Sequence, residues 1–326
     1  MSLTIEKQIE LLLSGNSLEI DDTHEEIHAA QTDVLGSKTP SNYVPVCQKT
    51  VAYIVAAVVI NEHGEVLMMQ EAKASCNGKW YLPAGRVQPD ENLLDAVKRE
   101  VLEETGLILE PETLILIECA VGSWFRFVFT GKIIGGKLKT LEEANKESLQ
   151  ACWVQDINDL TLRANDIIPL IEKAKSYIVN KDTLHYPNLI PATKSLNKLL
   201  LRLVITSKKR ATNKLHVLTS NAEPAYLPTC EINPNCSLLS TLHNFMEELF
   251  GSGVAQHKPH GILSVEFSGE QEGDGLCLTL LVSFKLPVED IPTIGKYIWR
   301  ELPDNVATNI SYRLPRNMTL PLNVIR

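Results

Sequence analysis

Residues 85–107 read Gly-Arg-Val-Gln-Pro-Asp-Glu-Asn-Leu-Leu-Asp-Ala-Val-Lys-Arg-Glu-Val-Leu-Glu-Glu-Thr-Gly-Leu, and they carry most of the information about the fold. They follow the pattern GX5EX7REUXEEXGU, in which U is aliphatic and X is any residue. Seven of these positions are fixed in residue type. At ordinary residue frequencies, a chance match in a chain of this size occurs roughly once in a million. The segment therefore needs an explanation as a unit.

The local pattern predicts a loop followed by one helix. Apolar residues recur at helical spacing at Leu93, Leu94, Val97 and Val101. Asp90 follows Pro89 and precedes this run, which favours Asp90 as the N-cap. Gly106 provides the usual C-terminal stop, because glycine adopts a left-handed backbone without a steric penalty.

Three carboxylates share one face of this predicted helix. Glu100, Glu103 and Glu104 are spaced i, i+3 and i+4, opposite the apolar stripe. Their charges repel unless a cation lies among them, and hard oxygen ligands suit Mg²⁺, with Mn²⁺ as an alternative. A solvated acidic surface is the bland explanation of any such face, but Arg99 and Gly85 favour a metal site. Mg²⁺ completes its coordination with substrate phosphates, so a diphosphate substrate is expected.

The segment resembles the signature of the Nudix hydrolases. This resemblance implies an α/β fold, an α/β/α sandwich around a mixed sheet, and metal-dependent hydrolysis of nucleoside diphosphate derivatives. It also implies that Glu100, Glu103 and Glu104 bind the metal, that the backbone at Gly85 approaches it, and that Arg99 orients a glutamate.

Further segments resemble the Nudix members that act on oxidised purine nucleoside diphosphates, over about residues 51–177. They are 70–73, 80–86, 126–129, 147–150 and 162–166. The implied reaction converts 8-oxo-dGDP or 8-oxo-GDP to the monophosphate and so cleans the nucleotide pool. The candidate substrate contacts are Trp124, Arg126, Arg86, Leu82, Asn165 and Asp166. A core aromatic for Trp124 and a helix N-cap for Asn165 are the structural alternatives.

Two carboxylates compete for the role of general base. Glu103 of the helix and Glu147 of a later loop can each reach an attacking water, and we favour Glu103. Two other functions also stay open. One is a Nudix pyrophosphatase for ADP-ribose or a nucleotide sugar, and the other is a regulatory module that binds a nucleotide without hydrolysing it.

Composition limits the possible partners of the protein and its cellular compartment. The 326 residues carry a net charge of −9 and no long basic run, which argues against a nucleic acid polymer as partner. No apolar stretch approaches a membrane span, so we expect a small-molecule nucleotide as the partner and no membrane. The seven cysteines lack CxxC spacing, which favours free thiols in a reducing compartment. We expect the cytoplasm, leave the nucleus open, and leave a homodimer open.

The order of patterns along the chain suggests three regions. We assign residues 1–45 to an N-terminal helix, over about 3–13, and a linker from 21 to 45. Residues 46–180 form the catalytic domain, in which 51–60 and 66–70 are predicted as a hairpin. Strands are expected near 114–119, 124–130 and 149–154, and a helix over about 166–177.

Residues 195–326 are predicted to be a second, degenerate Nudix-like domain. Residues 226–251 align without a gap on 81–106 at a shift of 145, and eight of the 26 pairs are identical. About two identities are expected from composition. Phe245 and Leu249 stand where Glu100 and Glu104 stand in the first copy. The second copy therefore lacks the metal ligands, and we expect it to have a packing, dimerising or substrate-shaping role.

Overall fold

The computed structural model describes residues 3–16, 18, 43–183, 188–269 and 273–325. The predicted linker, apart from residues 43–45, lies outside the described residues. None of the helices in the described ranges is both long enough and apolar enough to cross a bilayer.

The first half contains a mixed sheet between two helices, and a third helix precedes both in the sequence. Its elements are α1 (Ile5–Leu13), β1 (Ala52–Ala57), β2 (Val66–Glu71), β3 (Trp80–Tyr81), β4 (Ala84–Arg86), α2 (Leu93–Thr105), β5 (Leu107–Cys119), β6 (Trp124–Gly136), β7 (Ser148–Val154) and α3 (Ile168–Asn180). Single 3-10 turns cover Leu141–Glu143, Ile157–Asp159, Asn165–Ile167 and Lys181–Thr183. Helix α2 packs on one face of the sheet and α3 on the other. The predicted mixed α/β sandwich is confirmed.

The strands form two sheets. β1 pairs antiparallel with β4 and parallel with β6, while β6 pairs antiparallel with β5. β2 pairs instead with β3 and β7 in a separate sheet. The predicted hairpin is confirmed only next to its turn. The chain reverses at residues 61–64, Ile60 bridges Val66, and the Leu67 amide donates to the Val59 carbonyl at 2.9 Å, but β1 and β2 then diverge into different sheets.

Helix α2 begins two residues later than the sequence predicts. The cap is Asn92, whose side-chain oxygen accepts a hydrogen bond from the Asp95 amide at 2.8 Å. Asp90 instead has a φ of 64°, so it turns the chain before the helix and caps nothing. The predicted stop is confirmed, because Gly106 has a φ of 75°.

The second half repeats the same order of elements. It contains β8 (Ala192–Thr193), β9 (Leu199–Lys208), β10 (Leu215–Ser220), β11 (Thr229–Glu231), α4 (Leu238–Phe250), β12 (His257–Phe267), β13 (Leu276–Phe284), β14 (Tyr297–Glu301), α5 (Asp304–Arg313) and β15 (Leu322–Val324). A further 3-10 turn covers Val288–Asp290. α4 and β11 lie at the shift of 145 from α2 and β4.

Most of the strand pairing is also shared between the halves, although β9 additionally pairs antiparallel with β10, which joins the strands of the second half into one sheet. β9 pairs antiparallel with β11 and parallel with β13, β13 pairs antiparallel with β12, and β10 pairs antiparallel with β14. These partners correspond to the partners of β1, β6 and β2. We infer from this common topology that residues 195–326 form a degenerate copy of the first domain.

The halves are joined by a continuous apolar core and by the two terminal segments of the chain, each of which packs on the other half. Tyr53 and Phe267 meet edge to face with ring centroids 4.8 Å apart. β15 adds a parallel strand to β5 of the first half. Conversely, the N-terminal helix α1 packs on the second half, where Ile9 and Leu12 are buried against β12 and α5.

Candidate active site

The metal-binding face of α2 lies against the loop that precedes it. Glu100 is nearly buried and lies so close to Gly85 that a Cβ there would sit 2.0 Å from its Oε1. A side chain at residue 85 would therefore displace the Glu100 carboxylate from this position. Glu104 is only 1% exposed, and its Oε2 accepts the Ala84 amide at 2.9 Å.

Burial leaves these two carboxylates short of compensating charge. Desolvation raises the pKa of Glu104 well above its usual range, although the Ala84 amide opposes it. Desolvation also raises the pKa of Glu100, and the charges of Glu103 and Glu147 add to this effect. A bound cation would relieve both costs.

Arg99 links the carboxylates of the signature. Its guanidinium donates to Glu91 at 2.6 and 2.9 Å, to Glu100 at 2.7 Å and to Glu103 at 3.1 Å. It also donates to the carbonyl of Arg86 at 3.1 Å, which fixes the loop onto the helix. The role of Arg99 is therefore wider than orienting one glutamate.

The donor set fits a divalent cation, but in this conformation it is not a closed cage. Within the described ranges, no group of three acidic, histidine or cysteine side chains is arranged to hold a metal ion. Glu100 and Glu103 both turn towards Arg99, whereas Glu104 turns towards the loop amide.

The predicted substrate face is a row of side chains across the sheet. Arg86, Ile54, Arg126 and Glu118 are direct neighbours on β4, β1, β6 and β5. Trp124 lies two residues from Arg126 on the same face, with the Arg126 guanidinium carbon 5.9 Å from its ring centre. Trp124 is half-buried, whereas Arg86 is exposed.

Arg126 is held by an ion-pair network. It is 6% exposed, pairs with Glu118, and donates to Asp166 at 2.7 Å and to the Tyr81 hydroxyl at 3.0 Å. Tyr81 also donates to Asp166 at 2.8 Å. Burial opposes the ionisation of Asp166, but these two donors outweigh it and lower the pKa of that carboxyl.

Other predicted residues differ in availability. Asn165 is exposed, and its side chain caps neither adjoining helix. Glu147 is partly buried beside Lys146, at 3.5 Å, and near enough to Glu100 to affect its pKa. The side chain of Leu82 is fully buried in the core, so a substrate contact at this position would come from its backbone.

The sequence reasoning missed several residues that shape the site. Glu118 partners Arg126, Arg163 stacks 4.6 Å from the Tyr81 ring centre, and Lys139 contacts the end of α2. A lone charge in an apolar strand is the signal that would have identified Glu118, since it stands between Ile117 and Cys119. Lys139 has no such local signal.

In the second copy, the corresponding row is Glu231, Leu200, Cys277 and Glu266. Glu266 is fully buried with Arg202 at 3.1 Å, and its Oε1 accepts the Leu18 amide at 3.2 Å. Leu18 of the N-terminal region thus contacts this face. Phe245 and Leu249 fill the former ligand positions with core side chains.

Comparisons with known proteins agree with this geometry. The NUDIX domain profile matches residues 51–171. The human protein named 8-oxo-dGDP phosphatase NUDT18 is 36% identical over 299 residues, covering 85% of this chain and 88% of its own. The zebrafish (Danio rerio) protein of that name is 33% identical and covers 98% of both chains. A Nudix hydrolase structure from Nitrosomonas europaea is 27% identical, covers 39% of this chain and 89% of its own, and has a TM-score of 0.34.

Proposed function

The chain belongs to the Nudix hydrolase family, and from that premise we propose that it converts oxidised purine nucleoside diphosphates, such as 8-oxo-dGDP and 8-oxo-GDP, to monophosphates. The observation that carries this proposal is the similarity to proteins named 8-oxo-dGDP phosphatase, which extends over both halves of the chain. Nudix hydrolases need divalent metal ions. The pool of damaged nucleotides would be the physiological substrate.

The proposed cation is Mg²⁺, with Mn²⁺ as the alternative, because all the donors are hard oxygens. Glu100, Glu103 and Glu104 would hold it together with the backbone of Gly85. When bound, a divalent cation neutralises diphosphate charge and lowers the pKa of a water ligand. The Gly85–Glu100 contact supports this assignment, since a side chain at 85 would force the Glu100 carboxylate away from the loop backbone.

We assign Glu103 as the general base. Its side chain is 41% accessible, compared with 10% for Glu100, so it can pass a proton to solvent. Arg99 holds it at 3.1 Å and limits its orientation. Glu147 is the second candidate, and Glu147→Gln decides between the two. An unchanged kcat in that variant keeps Glu103 as the base, whereas a large loss of kcat favours Glu147; Glu103→Gln does not discriminate, because it also removes a proposed metal ligand.

The substrate face would bind the base and the phosphates at different places. Trp124 offers a partly exposed aromatic surface for stacking. Asp166 and its neighbour Asn165 are the proposed hydrogen-bonding partners of the base. Arg126 and Tyr81 keep Asp166 ionised. Arg86 is exposed beside the metal loop and is the proposed phosphate contact, whereas Arg126 is occupied by carboxylates.

We place this reaction in a reducing compartment, the cytoplasm in the first instance and the nucleus as the alternative. All seven cysteines have free thiols, four of them buried. The proposed partner is the small nucleotide itself.

The experiment incubates a matched panel of 8-oxo-dGDP, 8-oxo-dGTP, dGDP, ADP-ribose and a nucleotide sugar with Mg²⁺ and measures the nucleotide products by chromatography. Phosphate release alone would not register hydrolysis of ADP-ribose or of the sugar, which yields two phosphate monoesters. Glu104→Gln serves as the blank. Preferential turnover of 8-oxo-dGDP over dGDP is expected. Faster turnover of ADP-ribose or the sugar would replace the substrate assignment with a Nudix pyrophosphatase, and no turnover of any compound would favour a nucleotide-binding module.

A further inference from the structure

The turn between β5 and β6, residues 120–123, connects the second half of the molecule to the substrate face. It leads directly into Trp124. Within the turn, the Trp124 amide donates to Val121 at 3.1 Å, and the carbonyl of Ser123 accepts the Ala52 amide of β1 at 2.8 Å. The position of this turn therefore determines where the Trp124 side chain lies.

The second half holds this turn from two sides. The Gly122 amide donates to the Cys236 carbonyl at 2.8 Å, and the Ser123 hydroxyl donates to the Pro234 carbonyl at 3.0 Å. On the other side, the amide of Ile325, next to β15, donates to the Cys119 carbonyl at 2.8 Å. The second half provides backbone atoms at all three contacts.

The contact at Gly122 has no room for a side chain. A Cβ there would lie 2.1 Å from the Asn233 carbonyl oxygen and 2.8 Å from the Ile232 Cγ2 atom. The φ of Gly122 lies outside the left-handed region, so the requirement for glycine is steric. The two halves approach each other here as closely as backbones allow.

The docking segment is the counterpart of the metal loop. At the shift of 145, Pro234 corresponds to Pro89 and Cys236 to Glu91, the partner of Arg99. In the first copy the loop is fixed to its own helix by Arg99. In the second copy Asn244 replaces that arginine, and the loop carbonyls contact the other half instead.

We propose that the loop of residues 232–236, together with β15, positions Trp124 and thereby sets the affinity of the first domain for its nucleotide. The degenerate domain then acts as a positioning element for the active copy. Gly122 and Ser123 are positioning residues, because they act through Trp124. This role rests on the proposed substrate contact of Trp124.

The test compares full-length Gly122→Ala and Ser123→Ala with Gly135→Ala, a matched control. Gly135 lies on β6 too, and an added Cβ would only touch the Ile108 Cδ1 atom at 3.5 Å. Gly122→Ala is expected to raise KM for the preferred nucleoside diphosphate about tenfold and to keep kcat within about twofold, as loss of uniform binding requires. Ser123→Ala should raise KM by a smaller factor, about threefold, and Gly135→Ala should leave both constants unchanged.

Two further measurements keep the outcome decisive. Hydrogen exchange of the amides in residues 119–125 should speed up in Gly122→Ala and not in Gly135→Ala. An unchanged KM despite faster exchange would overturn the proposal, and so would a fall in kcat at constant KM. If the wild type hydrolyses no nucleoside diphosphate, the proposed function fails by itself. In that case the Kd of 8-oxo-dGMP is measured by calorimetry for the wild type and for Gly122→Ala. A higher Kd in the variant would support this inference, and equal Kd values would overturn it.

Discussion

At Glu104, the proposed role in metal binding comes at the expense of stability. Its carboxylate is almost fully buried and accepts a hydrogen bond from the backbone amide of Ala84. Because the folded pKa is raised above the unfolded value, the folded state binds the extra proton more tightly. Stability therefore falls as the pH rises from the unfolded pKa to the folded pKa, and the loss persists at neutral pH.

We predict that Glu104→Gln abolishes hydrolysis without harming the fold. Glutamine keeps the shape and can still accept the Ala84 amide, but it removes the buried charge. We expect kcat to fall by at least about a hundredfold, while Tm at pH 7 in the absence of metal stays equal or rises. Adding Mg²⁺ should raise Tm of the wild type and leave the variant unchanged. Glu110→Gln, an exposed carboxylate with 56% of its side chain accessible, is the control. A variant that keeps its activity would remove Glu104 from the metal site.

Helix α2 shows which features the sequence makes predictable. Its apolar stripe and its stop at Gly106 follow from local spacing and are found in place. The carboxylates do share one side of the helix, but they do not lie opposite the apolar stripe, because Glu100 and Glu104 are buried alongside Val97 and Val101. The N-cap at Asn92 was missed because the chain turns at Asp90, a conformation that local propensity does not specify. Lys139 was missed because it lies 36 residues from the Glu103 carbonyl that it contacts.

The substrate face shows the same limit for strands. Alternation places Arg126 on a particular face of β6, but its partners come from β5 and from the turn before α3. Those neighbours depend on strand order and register, which one sequence does not encode locally. In the second half an internal repeat supplied the missing information, since the known order of one copy could be transferred to the other.

We predict that Lys139 stabilises the C-terminal end of α2. Its buried ammonium donates to the Glu103 carbonyl and, at 2.9 Å, to the Ser148 hydroxyl, which itself donates to the Glu104 carbonyl at 2.6 Å. Lys139→Met keeps the length of the side chain but leaves these buried oxygens without a donor. The free energy of unfolding should fall by about 1–3 kcal/mol, as measured by urea denaturation. Lys137→Met removes an ammonium that is 79% accessible and should change stability by less than about 0.5 kcal/mol. Equal effects of the two variants would refute the capping role.

The whole molecule is interlocked, although its two halves have the same topology. The main core includes buried side chains from both halves, among them Tyr53 and Phe267. The N-terminal helix packs on the second half, and the C-terminal strand completes the sheet of the first. Each end of the chain therefore stabilises the half to which it does not belong in sequence. We expect such a molecule to unfold as one unit, because each half alone would expose apolar surface that the other half buries.

We predict that a cavity in α1 destabilises the entire molecule. Ile9 is fully buried against Leu263 and Val306 of the second half. Ile9→Ala should lower the free energy of unfolding by about 2–4 kcal/mol, since it removes transfer free energy and leaves a cavity. Thermal unfolding followed by calorimetry should still show one transition at a lower Tm, with activity lost in the same transition. Lys7→Ala lies on the same helix with 56% of its side chain accessible, and it should leave Tm nearly unchanged. Two separate transitions in Ile9→Ala, with activity surviving the first, would contradict this prediction. They would mean that the catalytic half folds independently of the second half.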